Sequence, residues 1–373
     1  MRSLGYRSAF DGSNSQLLNS STPQLQFMQP DYHAIIRYAW TAYDPSRQIE
    51  STTDISARVS TNHVYKVTFT DKSFVIAKLS YFGRYEHFVE DHRIINVLAN
   101  NLPAPFENLL ARSLIKGTSL FVHRYIHEDI DVWVVFYRAV RIKTRLPRRL
   151  DEEHITRLGK EFAQFHKACH SIRNTLPGSS KTLHTDVDHL MEVVGRKNSR
   201  LGSHVDKDEI KRQCELFYEN EDQLRLHRLD RIPVFVDWNI GNFSVSSTFR
   251  LFSRWDYDWF RISNRMLDFY FFSRVASDVG DRTVFSYNIG PLMEERFLLF
   301  LKSYHAHYPL TETEIRSLKE VYRFFLLHYV VDYGTYFFAQ NYSTKLQKEA
   351  FEVHFPSIEK GFDPDKLLKA LKL

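Results

Sequence analysis

The residues best suited to chemistry in this sequence are Asp237, Asn242 and Asp256. Asp237 and Asn242 stand five positions apart, directly after the apolar run IPVFV, and Asp256 lies in the later segment RLFSRWDYDW. Phosphoryl transfer needs a carboxylate that orients and deprotonates a hydroxyl, and it needs an amide oxygen and a second carboxylate that hold Mg²⁺. These three residues supply those groups. Aspartate and asparagine are also common turn residues, so a purely structural role stays open at this point.

A lysine in a strand-like segment is the second candidate. Val75–Lys78 reads VIAK inside the run FVIAKLS, close to the V-A-I-K motif whose lysine pairs with phosphates in kinases. By itself the match is weak, because an exposed lysine on any strand gives the same letters. The sequence has no GxxxxGK[ST] loop, no GxGxxG and no GxSxG, so the usual fingerprints of nucleotide loops and nucleophile elbows do not apply.

The segments around Lys78 predict a small lobe of mixed structure. Alternating β-branched residues indicate a hairpin, apolar residues at helical spacing predict one helix after it, and a second hairpin signal follows at Lys116–Thr118. The predicted elements are strands at Val64–Phe69 and Phe74–Ser80 joined at Thr70–Ser73, a helix within Arg84–Asn100, and strands at Leu109–Ile115 and Ser119–Ile126.

The chain after Asp151 is predicted to be mainly helical. Long helical patterns run through His154–Cys169 and Glu294–Phe338, and one β-rich segment, 232–260, interrupts them and carries the three candidate residues. We divide the chain into a flexible N-terminal arm at 1–30, a nucleotide-binding β lobe at 31–130 and a helical lobe with the catalytic hairpin at 131–373. The long apolar tract Val321–Phe338 contains Arg323, His328 and Asp332, which favours a buried helix over a membrane span.

Taken together, these segments resemble the aminoglycoside phosphotransferase and choline kinase group, which belongs to the protein-kinase-like superfamily. The group's HGDxxxxN signature, its later apolar-Asp-aromatic-acidic segment and its final Asp-apolar segment all have matches here in the same order. A helix resembling LGxxLAxLH and a glycine-poor nucleotide loop match as well. The matching segments are Phe235–Asn242, Trp255–Asp258, Arg265–Phe269, Leu158–His166 and Ser60–Val67.

The resemblance implies an α+β, two-lobed protein-kinase-like fold, with a small antiparallel β lobe carrying one helix and a larger, mainly helical lobe. It implies that Asp237 is the catalytic base, that Asn242 and Asp256 bind Mg²⁺, and that Lys78 contacts the α- and β-phosphates of ATP. The expected activity is transfer of the γ-phosphoryl group to a hydroxyl of a small molecule. The sequence does not identify that acceptor, because acceptor pockets are built from variable loops.

Further roles follow from the same resemblance. Glu90 is the expected acidic partner of Lys78, with Asp91 and Glu86 as alternatives on the same helix. Asp268 would brace the catalytic loop. The adenine ring would bind near Arg124, Tyr125 and Ile126, where the second predicted hairpin ends.

The sequence departs from the family pattern at two positions of the signature. Phe235 stands where the family has His, and Val236 stands where Gly or Asn is usual. In the family this histidine supports the loop. Its absence here is therefore expected to affect catalytic efficiency and loop geometry more than the type of reaction. Two alternatives therefore stay open: a protein Ser/Thr kinase of the same fold, and a degenerate pseudokinase that acts as a binding module.

The charge of the chain is mild but unevenly distributed. The formal net charge is +5, too small to indicate a nucleic-acid partner. Basic residues cluster in the segment Arg138–Arg149, with no acid before Asp151. This segment is either a solvated surface or a site for an anionic ligand. Arg261 and Arg265 are further candidate anion contacts, and such basic groups argue against a polycationic acceptor.

The remaining features favour an ordinary globular protein of the cytoplasm. Hydrophobic residues make up 43% of the chain and charged residues 25%, which excludes wholesale disorder. Cys169 and Cys214 stand far apart, so neither a disulfide framework nor a zinc site is indicated. His166 and His170 have a metal-compatible spacing without a third ligand, which favours packing roles. No secretory signal and no membrane partner are expected.

Overall fold

The alternating apolar pattern around Lys78 forms an antiparallel sheet. This computed structural model describes residues 31–57, 61–196, 201, 205–278 and 286–373, so the predicted arm at 1–30 lies outside the described residues. The first seven strands are β1 (Ile49–Asp54), β2 (His63–Phe69), β3 (Phe74–Ser80), β4 (Ile115–Lys116), β5 (Ser119–Leu120), β6 (Val122–His127) and β7 (Ile130–Arg138). Five of them form one sheet in the order β1-β2-β3-β7-β6, and β4 and β5 pair separately.

The two faces of the sheet have different neighbours, and this decides where Lys78 points. Lys78 lies opposite Val64 on β2 and Val135 on β7. Its neighbour Ala77 belongs to the other face, which is packed beneath helix α1 (Tyr32–Tyr43). Since successive side chains in a strand alternate between faces, the α1 contacts leave Lys78 on the face toward helix α2 (Tyr85–Asn101) and the helical part of the chain.

Helix α1 is an addition to the single helix predicted for this lobe. Ile35, Ile36, Ala39 and Trp40 form its buried stripe, and the ring of Trp40 lies 4.5 Å from that of Phe69 and 5.1 Å from that of Phe136. The apolar spacing of α1 is visible in the sequence, but the sheet face that it covers is not.

The first predicted hairpin is confirmed, and the second is partly wrong. β2 and β3 pair across the turn at Thr70–Ser73. Around Gly117, whose φ of +61° suits a tight turn, only the short strands β4 and β5 form. The long partner of β6 is β7 instead. β7 runs to Arg138, so the sheet extends past the predicted boundary between residues 130 and 131.

The rest of the described chain is mainly helical, as predicted. Its longest early helix, α3 (Glu152–Ser171), begins where the carboxylate of Asp151 accepts a 2.7 Å hydrogen bond from the backbone N–H of His154. The other helices are α4 (Leu183–Gly195), α5 (Lys207–Leu224), α6 (Phe269–Ala276), α7 (Glu295–His307), α8 (Glu312–Phe325), α9 (Gly334–Phe337), α10 (Gln340–Glu349), α11 (Phe355–Gly361) and α12 (Pro364–Leu371).

Four short strands form the predicted β-rich segment. They are β8 (Ile232–Val234), β9 (Phe243–Val245), β10 (Leu251–Arg254) and β11 (Arg261–Ser263). β9 pairs with β10, and β8 pairs with β11. The hairpin β9–β10 brings the chain after Asn242 back alongside the chain before Asp256.

The apolar tract Val321–Phe338 is buried, as expected, but it is not one continuous α-helix. It passes from α8 through a π-helical segment, Leu326–Asp332, into the short helix α9. In the part of the chain that the structure describes, no helix is long and apolar enough to cross a bilayer. A second π-helical segment, Ala350–His354, lies between α10 and α11.

The burial of His354 should lower the free energy of unfolding in acid. Its side chain is buried, both ring nitrogens lack hydrogen-bond partners, and the nearest carboxylate oxygen, on Glu349, is 3.9 Å away. Burial lowers the pKa of His354 from 6.5 to about 4. Below pH 6.5 this histidine binds a proton in the unfolded chain but stays unprotonated in the folded chain. The free energy of unfolding therefore falls as the pH is lowered, by up to about 1.4 kcal/mol per pH unit. We expect His354→Phe to reduce this slope between pH 6.5 and 4 by the contribution of one histidine, since the buried His92 and His328 still contribute theirs, measured by urea unfolding at several pH values.

His307→Phe is the matched control, because His307 is exposed at the end of α7. It should leave the pH dependence of the unfolding free energy as it is in the wild type. An unchanged slope in His354→Phe would show that His354 titrates normally in the folded state.

Candidate active site

Lys78 lies at the centre of a buried charge cluster. Its Nζ donates a 2.9 Å hydrogen bond to Oδ1 of Asp256 and another hydrogen bond to Asp258. The amide of Asn62, in the connection between β1 and β2, donates to the other oxygen of Asp258. An ammonium group has three N–H donors, so these two carboxylates leave one donor of Lys78 for a further acceptor.

The two carboxylates beside Lys78 have different proton affinities. Burial raises the pKa of Asp258 to about 7, because the charge of Lys78 offsets only part of the effect of burial and the nearby charge of Asp256 adds to it. Burial also acts on Asp256, but the charges of Lys78 and Arg254 outweigh it and hold the pKa of Asp256 below its usual value. Burial works against the charge of Lys78, yet the two aspartates together raise the pKa of Lys78. Asp256 therefore stays charged under conditions in which Asp258 can take up a proton.

The segment 235–242, called the catalytic loop below, places Asp237 and Asn242 in direct contact. Nδ2 of Asn242 donates a 2.9 Å hydrogen bond to Oδ2 of Asp237, and Oδ1 of Asp237 accepts from the backbone N–H of Asn239 at 3.2 Å. The backbone N–H of Trp255 donates to the carbonyl of Asn242 at 3.0 Å. The loop and the segment carrying Asp256 are thus joined through backbone contacts.

Asp268 holds the beginning of the catalytic loop. Its Oδ1 accepts hydrogen bonds from the backbone N–H groups of Phe235 (3.0 Å) and Val236 (2.6 Å), and its Oδ2 lies 2.9 Å from Nε2 of His166. Nδ1 of the same histidine lies 2.8 Å from the hydroxyl of Tyr304. Both Asp268 and His166 are fully buried. The arrangement agrees with the bracing role expected for Asp268.

Val236 adopts a backbone conformation that suits Gly or Asn better than a branched residue. Its φ is +58°, which lies in the left-handed region that branched side chains rarely occupy. Such a conformation costs of order 1–3 kcal/mol and persists only where the surroundings enforce it. Here the hydrogen bond from the Val236 N–H to Asp268 does so. Asp256 is also left-handed, with φ +67°.

Arg254 holds the end of the catalytic loop. Its guanidinium donates to the carbonyl of Asn242 at 3.1 Å and to the carbonyl of Asp237 at 2.9 Å. It lies 5.2 Å from the ring of Phe235 and 5.0 Å from the ring of Trp238, within the range of cation–π interactions. Burial lowers the pKa of Arg254, but an arginine stays charged at any ordinary pH.

Phe235 fills the position of the family histidine with packing alone. It is fully buried, and its ring lies 5.3 Å from that of Phe260, 5.5 Å from that of Trp238 and 5.8 Å from that of Tyr257. These are ordinary edge and tilted ring contacts. The departure from the family pattern therefore places an apolar anchor, rather than a polar support, under the catalytic loop.

Solved structures share this architecture at low sequence identity. An amicoumacin kinase, hAmiN, in complex with AMP-PNP, Ca²⁺ and Ami matches with a TM-score of 0.59 and 14% identity, covering 91% of this chain and 97% of its own. The streptomycin–ATP–APH(2")-IIa ternary complex matches with a TM-score of 0.51, 15% identity and coverage of 90% and 100%. The GDP complex of aminoglycoside 2'-phosphotransferase-IIIa gives a TM-score of 0.51, 14% identity and coverage of 89% and 100%.

The chain has the protein-kinase-like fold of the aminoglycoside phosphotransferases. This confirms the fold class expected from the resemblance. No protein-family model matches the sequence, and no curated protein matches it.

Lys78 does not pair with the predicted acid of α2. Oε1 of Glu90 instead accepts hydrogen bonds from the hydroxyl of Ser179 (2.9 Å) and the backbone N–H of Ser180 (2.8 Å). The alternative, Asp91, binds Nζ of Lys181 at 2.6 Å. Glu86 is exposed and lies 4.0 Å from Arg84. Asp256 and Asp258 take the place of a helix carboxylate because Lys78 reaches across the cleft to them.

Arg124, Tyr125 and Ile126 lie on the edge strand β6, where the structure places no part of the Lys78 cluster. Arg124 pairs with Asp131 on β7, and Ile126 is 65% exposed. The chain leaves the sheet after Arg138, at the end of β7. Contact of Arg124, Tyr125 and Ile126 with a nucleotide base stays a prediction.

The predicted anion contacts separate into exposed and buried groups. The cations of Arg138–Arg149 are exposed, and among them Arg149 pairs with Asp278 at 2.9 Å. Anion binding by this segment stays a prediction. Arg265 is buried and pairs with Glu314, and Arg261 is buried and pairs with Asp186. Both are internal ion pairs rather than open anion contacts.

Asn242 and Asp256 fit a magnesium site with few protein ligands. Amide and carboxylate oxygens are hard donors, and Mg²⁺ commonly takes one or two carboxylates together with substrate phosphates and waters. The side chain of Asp256 is 39% exposed, so the pair with Lys78 leaves it open toward the cleft. The described residues contain no cluster of three or more His, Cys, Asp or Glu side chains that could hold a metal by themselves.

Sequence reasoning missed Asp258, Asn62 and Arg254. Asp258 stands at the acidic position of the family segment Trp255–Asp258, so a signal for it was present. Asn62 lies in the segment likened to the nucleotide loop, without an assigned role. Arg254 had no signal, because its two carbonyl acceptors come together only in the folded hairpin.

Removal of one charge at Asp268 should loosen the catalytic loop. In Asp268→Asn, one of the two oxygens becomes an NH₂ group that cannot accept a hydrogen bond, so either the backbone N–H groups of Phe235 and Val236 or the ring of His166 loses its acceptor. Because the site is fully buried, we expect the free energy of unfolding to fall by about 3 kcal/mol. Asp230→Asn is the matched control. Asp230 pairs at 3.0 Å with His170, which lies on α3 as His166 does, but Asp230 is largely exposed. It should cost less than about 1 kcal/mol, and equal losses for the two variants by chemical unfolding would contradict the bracing role.

Proposed function

We propose that the protein is a phosphotransferase that uses ATP and Mg²⁺ to phosphorylate a hydroxyl group of a small molecule. The observation that carries the proposal is the joining of four groups in one cleft. Asp237 and Asn242 bind each other, Lys78 binds Asp256, and the backbone of Trp255 binds Asn242. Phosphoryl transfer depends almost entirely on positioning and electrostatics, and these contacts provide a base, an oxygen-ligand pair and a phosphate-binding cation at fixed positions.

Each residue then has a role in the transfer. The carboxylate of Asp237 orients the acceptor hydroxyl and takes its proton as the acceptor oxygen bonds to the γ-phosphorus. The bond from that phosphorus to the bridging oxygen breaks, and its electron pair leaves with ADP. The free donor of Lys78 binds the α- and β-phosphates. Asn242 and Asp256 would hold Mg²⁺, which neutralises charge on the β- and γ-phosphate oxygens when it is bound.

Burial of the cluster supports this assignment of roles. The side chain of Lys78 is 6% exposed, so its charge acts in a medium that screens little. Asn242 donates to the Oδ2 oxygen of Asp237, so the amide orients the carboxylate that would act as the general base. Because both described cysteines are free and buried, we also propose a reducing, cytoplasmic location.

Substitution at Asp237 should separate chemistry from binding. Asp237→Asn keeps the shape of the side chain and a hydrogen bond to Asn242 but removes the base. We expect the affinity for Mg·ATP, measured by calorimetry, to change little. ATP turnover with a panel of hydroxyl compounds should fall about 10²- to 10⁴-fold. Asp278→Asn, at an exposed surface aspartate, is the control and should change neither quantity.

Substitution at Asp256 should abolish the metal-dependent part of nucleotide binding. Asp256→Ala removes a metal ligand and one partner of Lys78, so both turnover and the effect of Mg²⁺ on ATP affinity should disappear. Wild-type turnover in Asp256→Ala would overturn the proposed function. If wild type binds Mg·ATP but never turns it over, the protein is a pseudokinase. If radiolabel from ATP appears on protein and not on any small hydroxyl compound, it is a protein kinase.

A further inference from the structure

An open cavity lies beside the end of β7, apart from the Lys78 cluster. It has a volume of about 600 Å³, which is in the range of small-molecule sites. Neither Lys78 nor Asp256 lines it, and no residue of the catalytic loop does so. It is therefore a different site from the proposed catalytic cleft. Three short segments line the cavity, namely 108–112, 138–141 and 252–253.

The charged side chains of this cavity are all basic. Among the described residues that line it are Arg112, Arg138 and Arg141, and no aspartate or glutamate. We call it the arginine cavity. A fourth cation lies at its edge, since Nζ of Lys143 is 4.4 Å from the centre of the Phe252 ring, which lines the cavity. The formal net charge of the whole chain is +5, so four cations around one cavity are a strong local excess.

Arg112 is held in place by neutral oxygens. Its guanidinium donates to Oδ1 of Asn100 at 2.9 Å and to the carbonyls of Ala99 at 2.8 Å and Glu107 at 3.0 Å. These bonds fix the direction of the group, but no carboxylate of the described chain pairs with it. A guanidinium has five N–H donors, so two of them remain for a ligand. The charge of Arg112 is thus positioned without being neutralised.

Arg138 and Arg141 are exposed cations of the same cavity. Within the residues that the structure describes, neither side chain forms a hydrogen bond or an ion pair. The backbone N–H of Arg138 donates to the carbonyl of Arg112 at 2.9 Å, so these two cations extend from directly adjacent backbone. Like charges on adjacent strands destabilise each other. An anion bound between them would convert this repulsion into attraction.

The remainder of the basic segment lacks such an arrangement. Arg145 and Arg148 are exposed as well, but neither lines the arginine cavity. A run of charges on an open surface is commonly just solvated. The arginine cavity differs because its cations surround a concave space that also has an apolar wall. The apolar side chains in that wall are Leu110, Ala111, Val140 and Phe252.

We propose that the arginine cavity binds a small organic anion that carries two phosphate groups. Guanidinium groups bind phosphate through two parallel hydrogen bonds. Each phosphate ester carries about −1.5 to −2 charges near neutral pH, so two phosphates match the charge of the three arginines and Lys143. The apolar wall covers the carbon skeleton that joins the phosphates. Because the catalytic loop takes no part, this inference does not depend on the proposed function.

The test measures binding of D-fructose 1,6-bisphosphate to the full-length protein by calorimetry, without Mg²⁺ or nucleotide. Saturable binding is expected, and it should be about tenfold tighter than that of D-fructose 6-phosphate, which has half of the phosphate charge. Citrate offers carboxylates in place of phosphates and should also bind more weakly. The double variant Arg138→Ser/Arg141→Ser loses two charge-assisted contacts, so its affinity for the bisphosphate should fall about 10²-fold.

The double variant Arg145→Ser/Arg148→Ser is the matched control. It removes the same charge from the same basic segment but leaves the wall of the cavity intact. The affinity for the bisphosphate should change less than about threefold, because exposed charges at a distance are screened by salt. All four side chains are exposed, so both double variants should fold, which thermal unfolding without ligand checks. If Arg138→Ser/Arg141→Ser is nevertheless unstable, Arg141→Ser alone decides, with an expected loss of about tenfold.

Several results would overturn the inference. One is the absence of saturable bisphosphate binding. Another is an equal loss of affinity in the two double variants, which would indicate a diffuse basic surface. A third is binding of the monophosphate or of citrate that is as tight as that of the bisphosphate.

A lipid headgroup is a second source of paired phosphates, and a separate experiment distinguishes it. Phosphatidylcholine vesicles that contain phosphatidylinositol 4,5-bisphosphate are sedimented with the protein. If the protein binds these vesicles but not the soluble bisphosphate, its ligand is a membrane surface, and the inference is overturned. Calorimetry with Mg·ATP on the same wild-type protein tests the proposed function separately, so either proposal can fail without the other.

Discussion

The interaction on which the site depends is the buried carboxylate of Asp268. It is the acceptor for the two backbone N–H groups that open the catalytic loop, and it is itself positioned by His166 from α3. A charge buried in this way is stable only when every lone pair has a partner. The same contact holds Val236 in a left-handed conformation that the residue would not adopt alone. Placement of Asp237, one residue later, therefore depends on helices that are distant in sequence.

The second constraint is the competition for Lys78. Two carboxylates share one ammonium group in a poorly solvated site. Burial, together with the nearby charge of Asp256, raises the pKa of Asp258, while Lys78 and Arg254 hold the pKa of Asp256 below its usual value. Asp258 also lines the cavity between α2, the segment 257–261 and the π-helical segment Leu326–Asp332, so this one side chain belongs to both the cluster and the cavity.

Aromatic packing surrounds the catalytic loop at Phe235. Phe235 and Trp238 enclose the guanidinium of Arg254, and this arginine holds the far end of the loop through two carbonyl groups. A buried cation from the hairpin, Arg254, lies beside the ring of Phe235. The loop is held at its beginning by a carboxylate and at its end by a guanidinium, so its geometry does not depend on a histidine at position 235.

The sequence by itself determined the local elements and the residue types of the site. Strand alternation around Lys78 and the order of Asp237, Asn242 and Asp256 are properties of short segments, and the fold class follows from their order. It did not determine which acid pairs with Lys78. The candidate acids all lie on one predicted helix, and only the folded chain shows that Glu90 contacts Ser179 instead. Likewise the cavity beside Asp258 joins α2, the segment after Asp256 and the π-helical segment, which are far apart along the chain. Contacts between such distant segments are set by packing of whole elements, and for that reason only the tertiary structure decided them.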